Sequence, residues 1–279
     1  MSSSAPLDQA HGLRRLFEGA RVRFVPLVSN PHVACTGLLL ERISAAFAER
    51  GLHTLVIDAS ERAPEPSELA VLDLAACVQP LSQQVSFLAA RGLPIRHVDA
   101  QGSTAAFLHA AAQAAPEARV VLVHAAATDL CRLFGATVGE PASPPCCPVL
   151  IADDRPASVM HAYAAMKLMA LRARLRVHEL LLAAPAASRR AERIATQLAS
   201  CADHFLDAVL RHVVRVDPLG DAADAPNPAL RRWARERLVG RGIGGALADV
   251  RTVELPAVPD VGTRFAPENC AFNPAALGA

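Results

Sequence analysis

VRFVPLVSNPHVACTGLLLERISAAFAERGLHTLVIDAS, from Val22 to Ser60, reads as one strand–turn–helix–strand unit. Val22 to Val28 and His53 to Asp58 are short apolar runs with β-branched character, the signature of buried strands. Between them, Leu38 to Arg50 repeats apolar residues at three- and four-residue spacing, so one helical face meets the sheet. Two strands joined through such a helix run parallel, with a right-handed crossover. The turn between strand and helix, SNPHVACTG from Ser29 to Gly37, falls where a doubly wound sheet presents backbone N–H groups and a helix dipole to a phosphate.

The same alternation continues along the chain. Strands are predicted at Ile95 to Asp99, Arg119 to His124, Pro148 to Ala152, Val177 to Ala183 and Val209 to Val216. Helices are predicted at Thr104 to Ala114, Ser158 to Arg174 and Ser188 to Ala202. The expected class is therefore α/β, a doubly wound, mostly parallel sheet with helices on both faces. Glu61 to Ser67 and Gly135 to Pro145 are rich in proline and should be surface loops. After Leu238 periodicity fades, which divides the chain into a segment 1–19, an α/β domain 20–239 and a poorly ordered tail 240–279.

Hydrophobic residues make up 52% of the 279-residue chain and aromatics only 4%, so the core must be built from Leu, Val, Ile and Ala rather than rings. The formal net charge of +1 supplies no field that would drive the chain onto nucleic acid, and none is expected as a partner. No uncharged apolar stretch approaches the roughly 20 residues a membrane span needs, and the N-terminus lacks a secretory pattern, so a cytoplasmic protein is expected. Seven scattered cysteines, an odd number, argue against a disulfide framework. Cys146, Cys147 and His124 lack the geometry and the fourth ligand of a metal site, and no metal is expected.

The segment AAFAERGLHTLVIDAS, Ala45 to Ser60, resembles the AxALAxxGxxVLLIDAD frame of MinD/ParA-like P-loop ATPases, and Ser29 to Gly37 stands where that family carries its deviant Walker A loop, KGGxGKT. Aligned on that frame, Pro31 occupies the signature lysine position, and His32, Val33 and Cys35 replace glycines. Thr36 replaces the phosphate lysine and Gly37 the magnesium-binding hydroxyl. Glycines let a backbone approach phosphate and lysines neutralise the transition-state charge, so both geometry and electrostatics are lost. ARVVLVHAAATDL, Ala118 to Leu130, resembles the family's YDYVLIDTGAG with His124 at the Walker B aspartate. Asp58 keeps the acid that the family places near magnesium and the activating water, although as a lone carboxylate it can equally turn the following loop. The resemblance implies a pseudo-ATPase without ATP or magnesium as cofactor, whose residual nucleotide contacts would be Asn30, Thr36, Gly37 and Asp58.

ADDRPASVMHAYAAMKLM, Ala152 to Met169, resembles the TxPEPTSLTDAYALIKLL stretch of FlhG/FleN/YlxH-type proteins at Pro156, Ser158, Ala162, Tyr163, Ala164 and Lys167. Pro156 and Ser158 also suit a helix start on physical grounds. By resemblance Tyr163 and Lys167 are homodimer-interface candidates; by spacing, Tyr163, Met166 and Ala170 form a packed stripe with Lys167 in solvent. AERIATQLASCADHFL, Ala191 to Leu206, and NPALRRWARERL, Asn227 to Leu238, resemble later helices of that family.

DQAHGLRRL, Asp8 to Leu16, resembles the family's N-terminal DQAxxLR motif. That resemblance implies an FlhF-like signal-recognition-type GTPase as partner, with Gln9 promoting GTP hydrolysis and Asp8, Leu13 and Arg14 in support. The plain alternative is a short helix capped by Asp8, with Leu13 and Leu16 packed on the domain. The last helix, with Leu230, Trp233, Ala234 and Leu238 on one face, can make a weak peripheral contact at the inner membrane or cell pole, or close the core. Three rivals stand beside this reading: a nucleotide-binding switch for positioning, partitioning or cellulose synthesis, a scaffold, and a hydrolase built on Ser29, His32 and Asp58.

Overall fold

The computed structural model describes residues 22–135, 146–185, 187–220 and 227–239; the DQAHGLRRL segment and the tail 240–279 lie outside the described residues. The chain forms β1 (Arg23–Val28), α1 (Thr36–Ala48), β2 (Thr54–Asp58), β3 (Gln79–Pro80), β4 (Val85–Ala89), α2 (Ala105–Ala114), β5 (Val120–Ala125) and α3 (Ala127–Phe134). It continues through β6 (Val149–Asp153), α4 (Pro156–Ala173), β7 (Val177–Ala183), α5 (Arg189–Leu206), β8 (Val209–Val216) and α6 (Pro228–Val239). The sheet order is β3-β4-β2-β5-β1-β6-β7-β8, parallel throughout except for the short edge strand β3. This is the doubly wound α/β class expected from the alternation of elements.

Side-chain alternation along the strands builds two cores. Val25, Leu27, Leu122 and Ile151 face α1 and α6, with Leu39, Ile43, Phe47, Leu230 and Trp233. Val28, Ile57, Val123 and Leu182 face α2 to α5, with Phe107, Leu130, Met166 and Ile194. Central β1 tolerates Pro26 for a specific reason. The amides of Arg23 and Ser29 point at β5, so Pro26 lacks its donor on the β6 side, where pairing begins only at Leu27.

The strand expected at Ile95 to Asp99 is not formed. Residues Pro94–His97 make a single 3-10 turn, introduced by Gly92 at φ +73 and held at its first position by Pro94. The strand beside β2 is instead Val85–Ala89, which pairs with Thr54–Asp58 along its whole length and buries alternate residues. Helix α3 was also absent from the sequence expectation; its short, mixed sequence buries Leu130 and Leu133.

Glu179 fastens the last helix to the sheet. Its side chain is 1% exposed and accepts from Trp233 Nε1 at 2.6 Å, Arg237 Nε at 2.9 Å and Nη2 at 2.5 Å, and Arg211 Nη2 at 2.9 Å. A bulge between β7 and β8 sets Glu179 beside His212 and leaves Arg211 as the extra residue that reaches back to the carboxylate. Burial by itself would raise the carboxyl, but Arg237, Trp233 and Arg211 outweigh it and hold Glu179 below the usual carboxylate range. Leu230, Trp233 and Ala234 are buried, with the Trp233 ring 5.9 Å from that of Phe47, so this face of the helix closes the core. Among the described residues no helix is long and apolar enough to cross a membrane.

Two stability predictions follow from buried charge. Glu179→Ala leaves Trp233 Nε1 without its acceptor and Arg237 without its counter-ion, only the Cys147 carbonyl remaining to it, and should lower unfolding free energy by about 3–5 kcal/mol in urea titrations; a loss below about 1 kcal/mol would mean that apolar packing alone holds α6. His178 is fully buried with neither ring nitrogen at good hydrogen-bonding geometry, and burial, outweighing the opposing effect of the Leu175 backbone, lowers its pKa from 6.5 to about 4. Because the unfolded state takes up this proton first, stability should fall as pH drops from about 6.5 to about 4, and His178→Leu should flatten that slope.

Candidate functional site

The carboxyl ends of β1, β5 and β6 meet at the loop that leads into α1, and Asn30 organises it. The Asn30 side chain is buried, and its Nδ2 donates to Ile151 O at 2.8 Å, Ser158 O at 3.0 Å and Ser158 Oγ at 3.1 Å. Its Oδ1 accepts the His32 amide at 3.1 Å, while its carbonyl accepts the Val33 amide at 3.1 Å. Two backbone N–H groups of this loop are therefore turned onto Asn30 itself. Anion cradles at helix N-termini work by pointing successive amides outward at the ligand.

Neighbouring side chains hold the loop in place. Ser158 Oγ accepts the Asp153 amide at 2.9 Å, coupling α4 to the end of β6. Arg155 grips Asp153 through Nε at 2.8 Å and Nη2 at 2.6 Å, and Nη2 also donates to the His32 carbonyl. His161, whose pKa burial lowers, lies with Nε2 3.2 Å from the Ser29 carbonyl, its ring 5.9 Å from that of His32. Thr36 Oγ1 donates to Val33 O at 3.0 Å, so this hydroxyl is also committed within the loop. Gly37 has open space around it, so a side chain would fit there.

Asp58 and His124 are register partners on β2 and β5, and their side chains meet at 2.9 Å between Oδ1 and Nδ1. Burial acts to raise the Asp58 carboxyl, yet hydrogen bonds and charge from His124, with the Ser60 amide at 3.1 Å, hold it below its ordinary value. The acid expected near a metal thus has an internal counterpart. His124 Nε2 is buried and makes no hydrogen bond within the domain. Among the described residues no group of three or more His, Cys, Asp or Glu is arranged to hold a metal ion. Cys35 stands at the N-cap of α1 without a side-chain hydrogen bond, and burial raises its pKa, so it remains a thiol.

Ser29, His32 and Asp58 do not assemble as a triad: Asp58 is engaged by His124, and His32 lies against His161. Lys167 is exposed, Tyr163 half-buried, and Met166 and Ala170 are in the core, so α4 shows the packed stripe and leaves Lys167 outside. A shallow cleft of about 230 Å³ lies over the ends of β6, β7 and β8, walled by Cys35, Asp153, Asp154, Arg155 and Asp217. Sequence reasoning missed Arg155 and His161. Their spacing from Pro156 was visible, but nothing local said that they would reach back to Ser29 and His32.

No protein-family model matches the chain, and no curated protein matches it significantly. Among solved structures, similarity is found to a ParA family ATPase from Chlorobium tepidum TLS, at 14% identity, 77% of this chain, 97% of that chain and a TM-score of 0.46. The cell division protein MinD from Aquifex aeolicus gives 15% identity, 80% of this chain, 98% of that chain and a TM-score of 0.47. Cobyrinic acid a,c-diamide synthase from Mycobacterium smegmatis, with bound ADP and magnesium, gives 12% identity, 80% and 98% coverage and a TM-score of 0.38.

Asn30→Ala removes three donor contacts and the acceptor for His32. Unfolding free energy should drop by about 2–3 kcal/mol, and amide exchange should quicken across His32 to Thr36. Unchanged exchange in that loop would show that Arg155 and packing suffice to hold it.

Proposed function

We propose that this chain is a regulator of flagellar number or placement of the FlhG/FleN kind that acts by binding and not through an ATP cycle of its own. The observation that carries the second half is Asn30, whose carboxamide oxygen takes the His32 amide and whose backbone carbonyl takes the Val33 amide, so that both point inward. A triphosphate needs those amides, a lysine and a metal-binding hydroxyl; Thr36 and Gly37 occupy the last two places, and the Asp58 carboxylate is satisfied by His124. The residues present do not fit ATP and magnesium.

The first half rests on the DQAHGLR segment, Asp8 to Arg14, and on the Ala152 to Met169 stretch. In this reading the segment contacts an FlhF-like signal-recognition-type GTPase. Gln9 supplies a side-chain amide that orients the attacking water, while Asp8, Leu13 and Arg14 fix the segment on the partner. A neutral amide suits that task because it can accept from the water and donate to the phosphate at once. The domain behind it serves as a scaffold whose nucleotide loop is held by its own side chains.

A second reading is a MinD/ParA-like nucleotide-binding switch in positioning, partitioning or cellulose synthesis. The cleft beside Cys35 and the retained Asp58 favour it. The two are separated by measuring GTP hydrolysis by the cognate FlhF-like GTPase with this protein, with its Gln9→Ala form and with neither, alongside ATP hydrolysis by the protein alone. Stimulation that Gln9→Ala abolishes, with no ATP turnover above background, is the expected result. ATP turnover with no effect on the GTPase would establish the switch instead.

A further inference from the structure

Helices α4 and α5 lie side by side on one face of the sheet and share its core, to which α4 gives Val159, Ala162 and Met166 and α5 gives Ile194 and Leu198. Each follows one parallel strand and leads into the next, so the two run in the same direction. Their outer sides differ in character. On α4, Ala157, Met160, Ala164, Lys167 and Leu171 recur at three- and four-residue spacing and are all exposed, Met160 at 38% and Leu171 at 67%. A water-facing helix side is normally polar or charged, whereas this one holds a single cation among apolar residues. On α5, Arg189, Arg193, Thr196, Ser200 and Asp203 repeat the spacing and are exposed as well. That stripe has two arginines at its first end, flanked by Glu192, and an acid at its last.

An occupant that fits this surface has an apolar ridge beside a charged one, with the order of charge reversed. A second copy of the chain supplies both. Turned end for end about a two-fold axis, α4 of one copy sets Met160 against Leu171 of the other, twice over, and the small Ala164 makes room for the facing Lys167 stem, whose ammonium stays at the rim. The same rotation lays α5 along α5 of the second copy and brings Arg189 to its Asp203. One axis serves both pairs of helices. Each helix has 18 residues, and each stripe is centred near the middle of its helix, between Ala164 and Lys167 on α4 and at Thr196 on α5.

We propose that the outer face of α4 and α5 is the interface of a two-fold symmetric dimer of this chain, formed without nucleotide. Helices of 18 residues are about 27 Å long, and two of them side by side cover about 500 Å2 on each copy. The total of about 1,000 Å2 is close to the lower bound of a specific interface, with the α4 stripe as apolar centre and the α5 stripe as polar rim. An interface of that size forms at micromolar concentration. It lies on the outside of the helical layer and leaves the Ser29 to Gly37 loop out of the contact, so it is independent of any ligand that loop would hold.

The test is sedimentation velocity on the full-length protein between about 1 and about 200 μM. Wild type should pass from monomer to dimer with a dissociation constant of about 10 μM, the same with and without ATP and magnesium. Met160→Ser/Leu171→Ser should raise that constant at least about tenfold and leave the thermal midpoint of the monomer unchanged, because both positions are exposed. Arg189→Glu and Asp203→Arg should each weaken the dimer about threefold or more. Both changes in one chain should restore it, since each copy then offers the same pair in exchanged order. Each places a charge where the helix dipole favours it, so the fold is not at risk. A chain that stays monomeric up to about 200 μM overturns the inference, as does a dimer that forms only with ATP. A dimer indifferent to the Met160 and Leu171 changes, or a charge-exchanged double variant no tighter than its single parents, overturns it equally.

Discussion

Asn30 is the group on which the arrangement around the first loop depends. A carboxamide offers two donors and an acceptor in one plane, and here every one is used, on β6, on α4 and on the loop's own amide. Placed at the end of the central strand, it joins three elements that are far apart in sequence. Leaving any of those groups unpaired in the interior would cost about 1–3 kcal/mol, more than the loop could recover by turning its amides outward to water. The loop is therefore part of the core's polar framework, and Arg155, Asp153, Ser158 and His161 build outward from it.

Charge is handled by the same logic elsewhere. Asp58, partly buried, is hydrogen-bonded by His124 of the neighbouring strand, and the buried Glu179 carboxylate is paired with Arg237 of the last helix and Arg211 of the neighbouring strand. Each is stable because its partners and its hydrogen bonds arrive together; removing one would strand the other in a low-dielectric interior. At the first pair this consumes the acid that a metal-dependent site would use. At the second it sets where α6 crosses the sheet, and so directs Trp233 into the core beneath α1.

In the proposed role these features make a rigid platform. A nucleotide switch needs a loop with two arrangements of similar free energy, biased by the ligand. The loop here is held by interlocking contacts from Asn30, Thr36 and Arg155, and in the proposed role regulation falls to surfaces outside it.

The layered α/β class was legible in the sequence because helix and strand periodicities are local. Val177–Ala183 and Val209–Val216 have the predicted bounds, and the four predicted helices lie within a few residues of theirs. Val85–Ala89 was hidden because a five-residue strand containing Ser86 carries little local signal, and Ile95 to Asp99 misled because its apolar residues lie on a turn led by Pro94. That no glycine or lysine stands between Pro31 and Gly37 was equally plain, being a matter of residue identity. The contacts of the loop were not. Asn30 meets Ser158 across 128 positions, Arg155 meets His32 across 123, and Glu179 meets Arg237 across 58. Such partners are chosen by strand order and by the direction each side chain takes from its element, quantities that exist only once the sheet is assembled; the sequence by itself determined the layers and the residue types of the loop, and the tertiary structure decided which distant groups those residues meet.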